Sequence, residues 1–556
     1  MTRYIKRLID SAAASLGLVL LAPLMTLVAL AVLLTMSRPV LSRQVRLGYQ
    51  ARPFVHELEG RVVPPVALSV TAAPYDADPT GAADSTAAIN RCIADVHNAG
   101  GGTVYIPAGT YKITHRGDPT IALWGDVTLQ GAGESASTIR LADNQGDFEE
   151  LIGLASSSSN TNIAMYDLTI DFNDQNGNMP TSAPNGSTND RIGIGVFRGG
   201  NLTFQRIRLT NYCGIWGLVP YGPGVHDVTI DHVTIDNVGG SPFDFDNSTI
   251  DVQGTNFTVT NNTISSRYGA GTVAARSAIE THCSNLNVSN NTIIGFRQGI
   301  TAGGRARWVM NNCNYQNNNI TQCGSGFYLW SGAPPNGNGM TNWTIDGNNI
   351  TLDVDRWYNS HIDRGDGYQG VSMIDDVDYQ AGRIDRLHLT NNTITYTDYS
   401  GSRPADDRNN GIDFVALGSP NKYTNIYINN NHINYALANG ITYDFPVNGL
   451  TITGNVITNP GSSPNSLSAD NRSAIRLADS MQNATVQSNT FIDNYATNKM
   501  KYGIWEETNN LGNCAYGGDQ LQITAVGATI PEFQSGYGHQ GPAWRSPTSP
   551  LGPKPE

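Results

Sequence analysis

Charge is scarce in this chain, and what charge there is leans acidic. Of 556 residues 15% are charged, with 34 Lys and Arg against 47 Asp and Glu, a formal net charge of −13. No basic stripe, phosphate-cradling glycine loop or dinucleotide fingerprint occurs, which excludes nucleic acid and nucleotides as partners. The six cysteines (Cys92, Cys213, Cys283, Cys313, Cys323, Cys514) lack metal-ligand spacing and are expected as buried thiols. Cys313 and Cys323 are the pair that a loop would let meet in an oxidising compartment. Strong helix formers thin out after residue 100, where Asn, Thr, Ile and Gly take over.

What is present is a repeated phrase: an apolar residue, Asn three places on, then Ile, Val or Phe two further. It occurs as Val259-Asn262-Ile264, Val288-Asn291-Ile293, Tyr315-Asn318-Ile320, Ile345-Asn348-Ile350, Leu389-Asn392-Ile394, Ile428-Asn431-Ile433, Ile452-Asn455-Ile457 and Val486-Asn489-Phe491. The Asn-to-Asn steps of 29, 27, 30, 44, 39, 24 and 34 residues are those of a solenoid. The alternation is that of a strand, and one coil cannot bury its own apolar edge, so coils must stack. Asn side chains stacked at an inward corner can hydrogen-bond from coil to coil. The phrase predicts an all-β, single-stranded parallel β-helix of about a dozen coils.

A second strand in each coil is marked by a small residue followed by an apolar one: Gly193-Ile194, Gly214-Ile215, Pro242-Phe243, Ala278-Ile279, Gly299-Ile300, Gly326-Phe327, Gly370-Val371, Gly411-Ile412, Gly440-Ile441, Ala474-Ile475 and Gly503-Ile504. Residues one and three places beyond the apolar one point outward. This parity groups Asp244, Asp246, Glu280 and His282 as a catalytic patch. Trp216 flanks one side and Tyr328 with Trp330 the other, with Arg276, Arg305 and Asp413 as further substrate contacts. Aromatic rings stack on pyranose faces while carboxylates act on the bond between, so the pattern points to a polysaccharide substrate.

Two chemistries use such a patch. In glycoside hydrolysis one carboxyl protonates the leaving oxygen and another activates water, inverting enzymes holding the pair about 6.5–9.5 Å apart; this reading is favoured and requires no cofactor. In β-elimination at a uronate, Asp244, Asp246 and Glu280 would gather around Ca²⁺ while a basic residue removes a proton. A third reading is a non-catalytic protein that binds or guides a glycan. A homotrimer is compatible with any of these.

The first 60 residues differ in kind. Leu16–Met36 carries no charge over 21 residues, enough to cross a bilayer, and basic residues flank it on both sides. Residues 1–60 sum to +4, leaving −17 for the remainder. Basic flanks at both ends fit a helix that enters and returns on one side, broken at Pro23. A linker over 61–75, a β-helical catalytic domain over 76–526 and an irregular Gly- and Pro-rich tail over 527–556 follow. A membrane-associated protein with its β-helix on the periplasmic side is the expected arrangement.

Two resemblances sharpen these expectations. Tyr4-Ile5-Lys6-Arg7-Leu8-Ile9-Asp10, Ala22-Pro23-Leu24 and Arg38-Pro39-Val40 through Gly48 resemble the membrane-entry segment of bacterial polyprenyl-phosphate sugar-1-phosphate transferases. The Asp-Glu pair that does the chemistry in that family does not follow here, so the resemblance implies an anchor and an exopolysaccharide context without transferase activity. Asp78-Pro-Thr-Gly-Ala-Ala-Asp84, then Gly100-Gly-Gly-Thr-Val-Tyr-Ile-Pro-Ala-Gly109, resemble the opening of the pectate-lyase-like superfamily. That family implies a right-handed parallel β-helix whose first coil is plugged by a helix. Asp84 or Ser85 would cap this helix, with Ile89, Cys92, Ile93 and Val96 on its buried face.

Overall fold

The computed structural model describes residues 66–523, apart from 156–160, 183–188, 241–246, 268–275, 304–309, 332–338, 360–367, 376–382, 398–408, 416–421, 464–469, 479, 496–498 and 508–513, together with three short strands beyond 523. Nearly all its strands join one sheet in which every pairing is parallel, each strand bonding to its counterpart one coil away. That is the β-helix the repeat predicts.

The repeat works through its asparagines. Asn262 donates its backbone and side-chain N–H groups to Asn291 Oδ1 at 3.0 and 2.8 Å, and Asn291 does the same to Asn318 at 3.1 and 2.9 Å. The pattern continues through Asn348, Asn392, Asn431, Asn455 and Asn489. Each amide also donates to a backbone carbonyl of the preceding coil, as Asn291 Nδ2 does to Val259 at 2.9 Å. The ladder thus satisfies polar groups at a corner where water is absent. The residue before each ladder Asn must turn the chain in the left-handed region. Asn serves at 261, 290, 317, 391 and 430 and Gly at 347 and 454, residue types that tolerate that conformation, and Ser488 adopts it before Asn489. Asp519 ends the ladder, accepting from Asn489 N and Nδ2 at 2.6 and 3.1 Å.

Helix α1 (Thr86–Asn98) covers the first coil, with Ile89, Cys92, Ile93 and Val96 fully buried as its periodicity predicts. Its Asn90 pairs with the exposed edge of the strand Ile121–Leu123, donating to Thr120 O at 2.9 Å and accepting from Ala122 N at 2.8 Å. Asp84 bonds the first turn through Thr86 N at 3.1 Å, whereas the Ser85 hydroxyl accepts from Asp78 N at 3.0 Å and caps nothing. The stretch expected to be an irregular tail contains short strands; Phe533–Ser535 extends the parallel sheet from Tyr502–Glu506.

All six cysteines are free, so the pairing of Cys313 with Cys323 is corrected: both are buried thiols in the core. The expected membrane segment, residues 1–60, lies outside the described residues. Among the described residues no helix is long and apolar enough to cross a membrane.

Candidate active site

Seven strands carry the site: β1 (Glu150–Leu154), β2 (Ile192–Val196), β3 (Trp216–Asp231), β4 (Ser248–Thr260), β5 (Ser277–Ser289), β6 (Gln298–Gly303) and β7 (Ser325–Ser331). Their inward apolar residues stack in one line, Ile152, Ile194, Leu218, Ile250, Ile279, Ile300 and Phe327. Two of the sequence markers are therefore absent from this line. The stacked pair is Gly217-Leu218, not Gly214-Ile215, and Thr249-Ile250 stands in the coil assigned to Pro242-Phe243, a pair outside the described residues. A signal for this was present: nine residues separate Ile279 from Val288, and nine separate Ile250 from Val259.

This shift changes the membership of the patch. Asp251 pairs with Glu280 and Gln253 with His282, the places assigned from sequence to Asp244 and Asp246. Asp244 and Asp246 themselves lie outside the described residues, as does Arg305. The first outward row runs Gly195, Val219, Asp251, Glu280, Thr301, Tyr328, and the second runs Tyr221, Gln253, His282, Gly303, Trp330. Asp413 sits on the same sheet farther along, buried and bonded to Asn410 Nδ2 at 3.0 Å, and takes no part in this cluster.

One carboxylate oxygen each of Asp251 and Glu280 and a ring nitrogen of His282 lie within 4.8 Å of one another. His282 is nearly fully buried and fixed at both ring nitrogens. Nδ1 is 2.7 Å from the Gly303 carbonyl and Nε2 is 3.1 Å from Glu280 Oε1. A carbonyl only accepts, so Nδ1 carries hydrogen and the Nε2–Glu280 contact shares a single proton between imidazole and carboxyl. Burial alone would raise the Glu280 pKa. The hydrogen bond and charge of His282, the donated Ser248 hydroxyl and the nearby Arg276 guanidinium outweigh it and hold the carboxyl below its ordinary value. Glu280 is therefore held toward its ionised form.

Ser248 was not foreseen, because strand alternation assigns it to the inward face. Ser248 has the parity of inward Ile250, yet its hydroxyl reaches Glu280 on the outer face. Trp216, paired with Ser248, occupies the same corner row. Its ring stacks on Tyr221 at 6.0 Å, and Tyr221 stands edge-on to His282 at 6.2 Å. On the other side Trp330 lies 5.8 Å from the His282 ring and 6.1 Å from Tyr328. A side chain at Gly303 would collide with the Trp330 indole, so the glycine allows the ring to lie across it. The result is a run of aromatic rings broken by an acid–histidine pair.

Asp244 and Asp246, expected beside Glu280 as calcium ligands, lie outside the described residues. Calcium takes six to eight oxygen ligands. Here the cluster offers two carboxylates and an imidazole whose two nitrogens already face a carbonyl and a carboxylate.

Comparison with known proteins agrees with this architecture. Residues 69–328 match the family model described as rhamnogalacturonase A/epimerase, pectate lyase-like, and residues 1–56 match the bacterial sugar transferase model. Mannuronan C5-epimerase AlgE6 of Azotobacter vinelandii is 32% identical over 170 residues, 28% of this chain and 18% of that protein. AlgE4 from the same organism is 32% identical over 164 residues, 28% of this chain and 28% of that protein. Alginate lyase 7, also from A. vinelandii, is 36% identical over 108 residues, 18% of this chain and 12% of that protein. The chain spans less than a third of the length of these curated relatives. Among solved structures, the tailspike of E. coli bacteriophage HK620 in complex with pentasaccharide superposes with TM-score 0.58 at 19% identity, covering 82% of this chain and 76% of that one. The pre-mature phi29 gene product 12 gives TM-score 0.60 at 15% identity, over 84% of this chain and 57% of that one. At such identities these two structures share the fold alone. The matched residues 69–328 lie within the β-helix, in line with the pectate-lyase-like resemblance of its opening.

Proposed function

We propose that this protein modifies a uronate-containing polysaccharide by moving a proton at a sugar carbon, with His282 and Glu280 as the proton-carrying pair. The carrying observation is the 3.1 Å contact between His282 Nε2 and Glu280 Oε1, with Nδ1 held on Gly303 O. A carbon-bound proton beside a carboxylate is removed by a positioned base; His282 Nε2 can accept one only as the proton it shares passes to Glu280, so the two groups act as a pair. Returning the proton to the opposite face inverts the sugar; expelling the glycosidic oxygen instead cleaves the chain. Tyr221, edge-on to His282 at 6.2 Å, offers a second proton-bearing group across the site.

The same geometry weighs against inverting glycoside hydrolysis by Asp251 and Glu280. Asp251 and Glu280 present oxygens within 4.8 Å, whereas an inverting pair needs about 6.5–9.5 Å to admit its water. The names of the similar proteins, mannuronan C5-epimerases and an alginate lyase, support a mannuronate-containing chain as substrate.

The test is incubation of the full chain with polymannuronate in heavy water, followed by proton NMR. Deuterium at C5 with a change of sugar configuration supports epimerisation, and an unsaturated uronate supports elimination. New reducing ends without either product overturn the reading in favour of hydrolysis. Binding without any product leaves the protein a glycan binder.

A further inference from the structure

The groove does not end at His282, and its next charged occupant is Glu150. This residue begins β1 in the corner row that also holds Ile192, Trp216 and Ser248. In that row a side chain reaches the first outward position of the following coil, as Ser248 reaches Glu280. Glu150 does likewise: a methyl group added at Gly153 or at Gly195 would overlap its carboxyl group. The two glycines leave the floor bare, and the Glu150 carboxyl fills the space on the row that continues through Val219 to Asp251 and Glu280. Phe197, exposed at 37%, borders it, and Trp216 follows two coils on in the same corner row.

The chemical state of Glu150 is unusual for this surface. Its Oε1 is shut from solvent and has no hydrogen-bond partner. Burial, then Asp118 and Glu149, raise its pKa to about 8. Among the described residues no cation offsets them: Arg191 is turned to the Cys213 and Gly146 carbonyls, each at 3.0 Å, and β2 presents Gly195, with Phe197 just beyond it. At neutral pH Glu150 is thus a neutral O–H donor. A protein of net charge −13 repels an anionic glycan, and a protonated carboxyl is a donor that can meet a carboxylate without adding charge.

We infer that Glu150, set over Gly153 and Gly195, forms a subsite that donates a hydrogen bond to the carboxylate of a uronate residue lying two coils from Asp251. This deepens the function proposed above and rests on it. The chain would run along the solenoid axis, passing Trp216 and Tyr221. Rungs spaced about 4.8 Å apart present successive positions to successive sugars.

Calorimetric titration of the full chain with an oligomannuronate tests this, beside a neutral mannooligosaccharide of equal length. Wild type should lose about tenfold in affinity between about pH 6 and about pH 9, as one charge-assisted hydrogen bond is lost. Glu150→Gln keeps a neutral donor and should bind at all pH values without that loss. Glu150→Ala should bind weakly throughout, and neither variant should alter binding of the neutral sugar. Wild-type pH dependence in Glu150→Gln, or undiminished binding by Glu150→Ala, overturns the subsite alone. An equal effect on the neutral sugar overturns the carboxylate as its ligand. Failure of wild type to bind the uronate at any pH overturns the subsite together with the function it rests on.

Discussion

His282 holds Glu280 at 3.1 Å through Nε2 while its other nitrogen is pinned 2.7 Å from the Gly303 carbonyl, so the ring has one orientation and one tautomer to offer. Two residues on one strand, β5, thereby become a unit, because i and i+2 face the same side.

Breaking that unit should abolish chemistry before binding. Glu280→Gln and His282→Gln are each expected to lower kcat by about 10²–10⁴-fold on a mannuronate polymer, the usual weight of a positioned proton-transfer group. Affinity for the polymer should change little. Retention of more than a tenth of wild-type turnover by both variants would remove the pair from the mechanism.

The bare backbone at Gly303 allows Trp330 to lie across it. Gly303→Ala should displace the indole and weaken sugar stacking, raising KM several-fold, as expected for about 1 kcal/mol of aromatic contact. Trp fluorescence should shift in the free protein. A variant with unchanged KM would show that Trp330 does not contact substrate.

The asparagine ladder should behave as a cooperative spine. Asn392 joins Asn348 and Asn431 through bonds of 2.9–3.0 Å, all buried. Asn392→Ala leaves donors and acceptors on both neighbours without partners and should cost about 2–4 kcal/mol in urea unfolding. A cost no larger than that of an exposed Asn→Ala change would deny the ladder its role.

Asp519 gives the ladder a pH dependence. Burial raises its pKa from 3.8 to about 6, against the two Asn489 N–H groups that lower it. The fold therefore favours the protonated acid. Its stabilising effect is complete below about pH 4 and is lost as pH rises to about 6. Asp519→Asn stays neutral, and its amide should donate to the Val486 carbonyl as the ladder residues do one coil earlier. The variant should be more stable than wild type by about 1–2 kcal/mol at pH 7 and nearly equal to it at pH 4. Greater stability of wild type at pH 7 would contradict the assignment.

How far the sequence could be read depended on local repetition. Nine of the eleven second-strand markers stack as expected, including Ala278-Ile279, and so Glu280 and His282 emerge side by side. The other two are Gly214-Ile215, which is out of register, and Pro242-Phe243, which lies inside the undescribed stretch 241–246. Strand parity carries no memory across an insertion of unknown length, and a slip exchanges every candidate. Asp251 was overlooked for that reason alone.

By itself the sequence determined the coil, because the Asn phrase and its αL turn are local demands that every repeat must meet with its own residues. It also determined that acids, histidine and aromatic rings share a face. Only the tertiary structure decided which coils touch and which way corner residues lean. Ser248, Trp216 and Glu150 come together in one corner row because their coils stack in that register, and register is a relation between coils that no single coil's residues set.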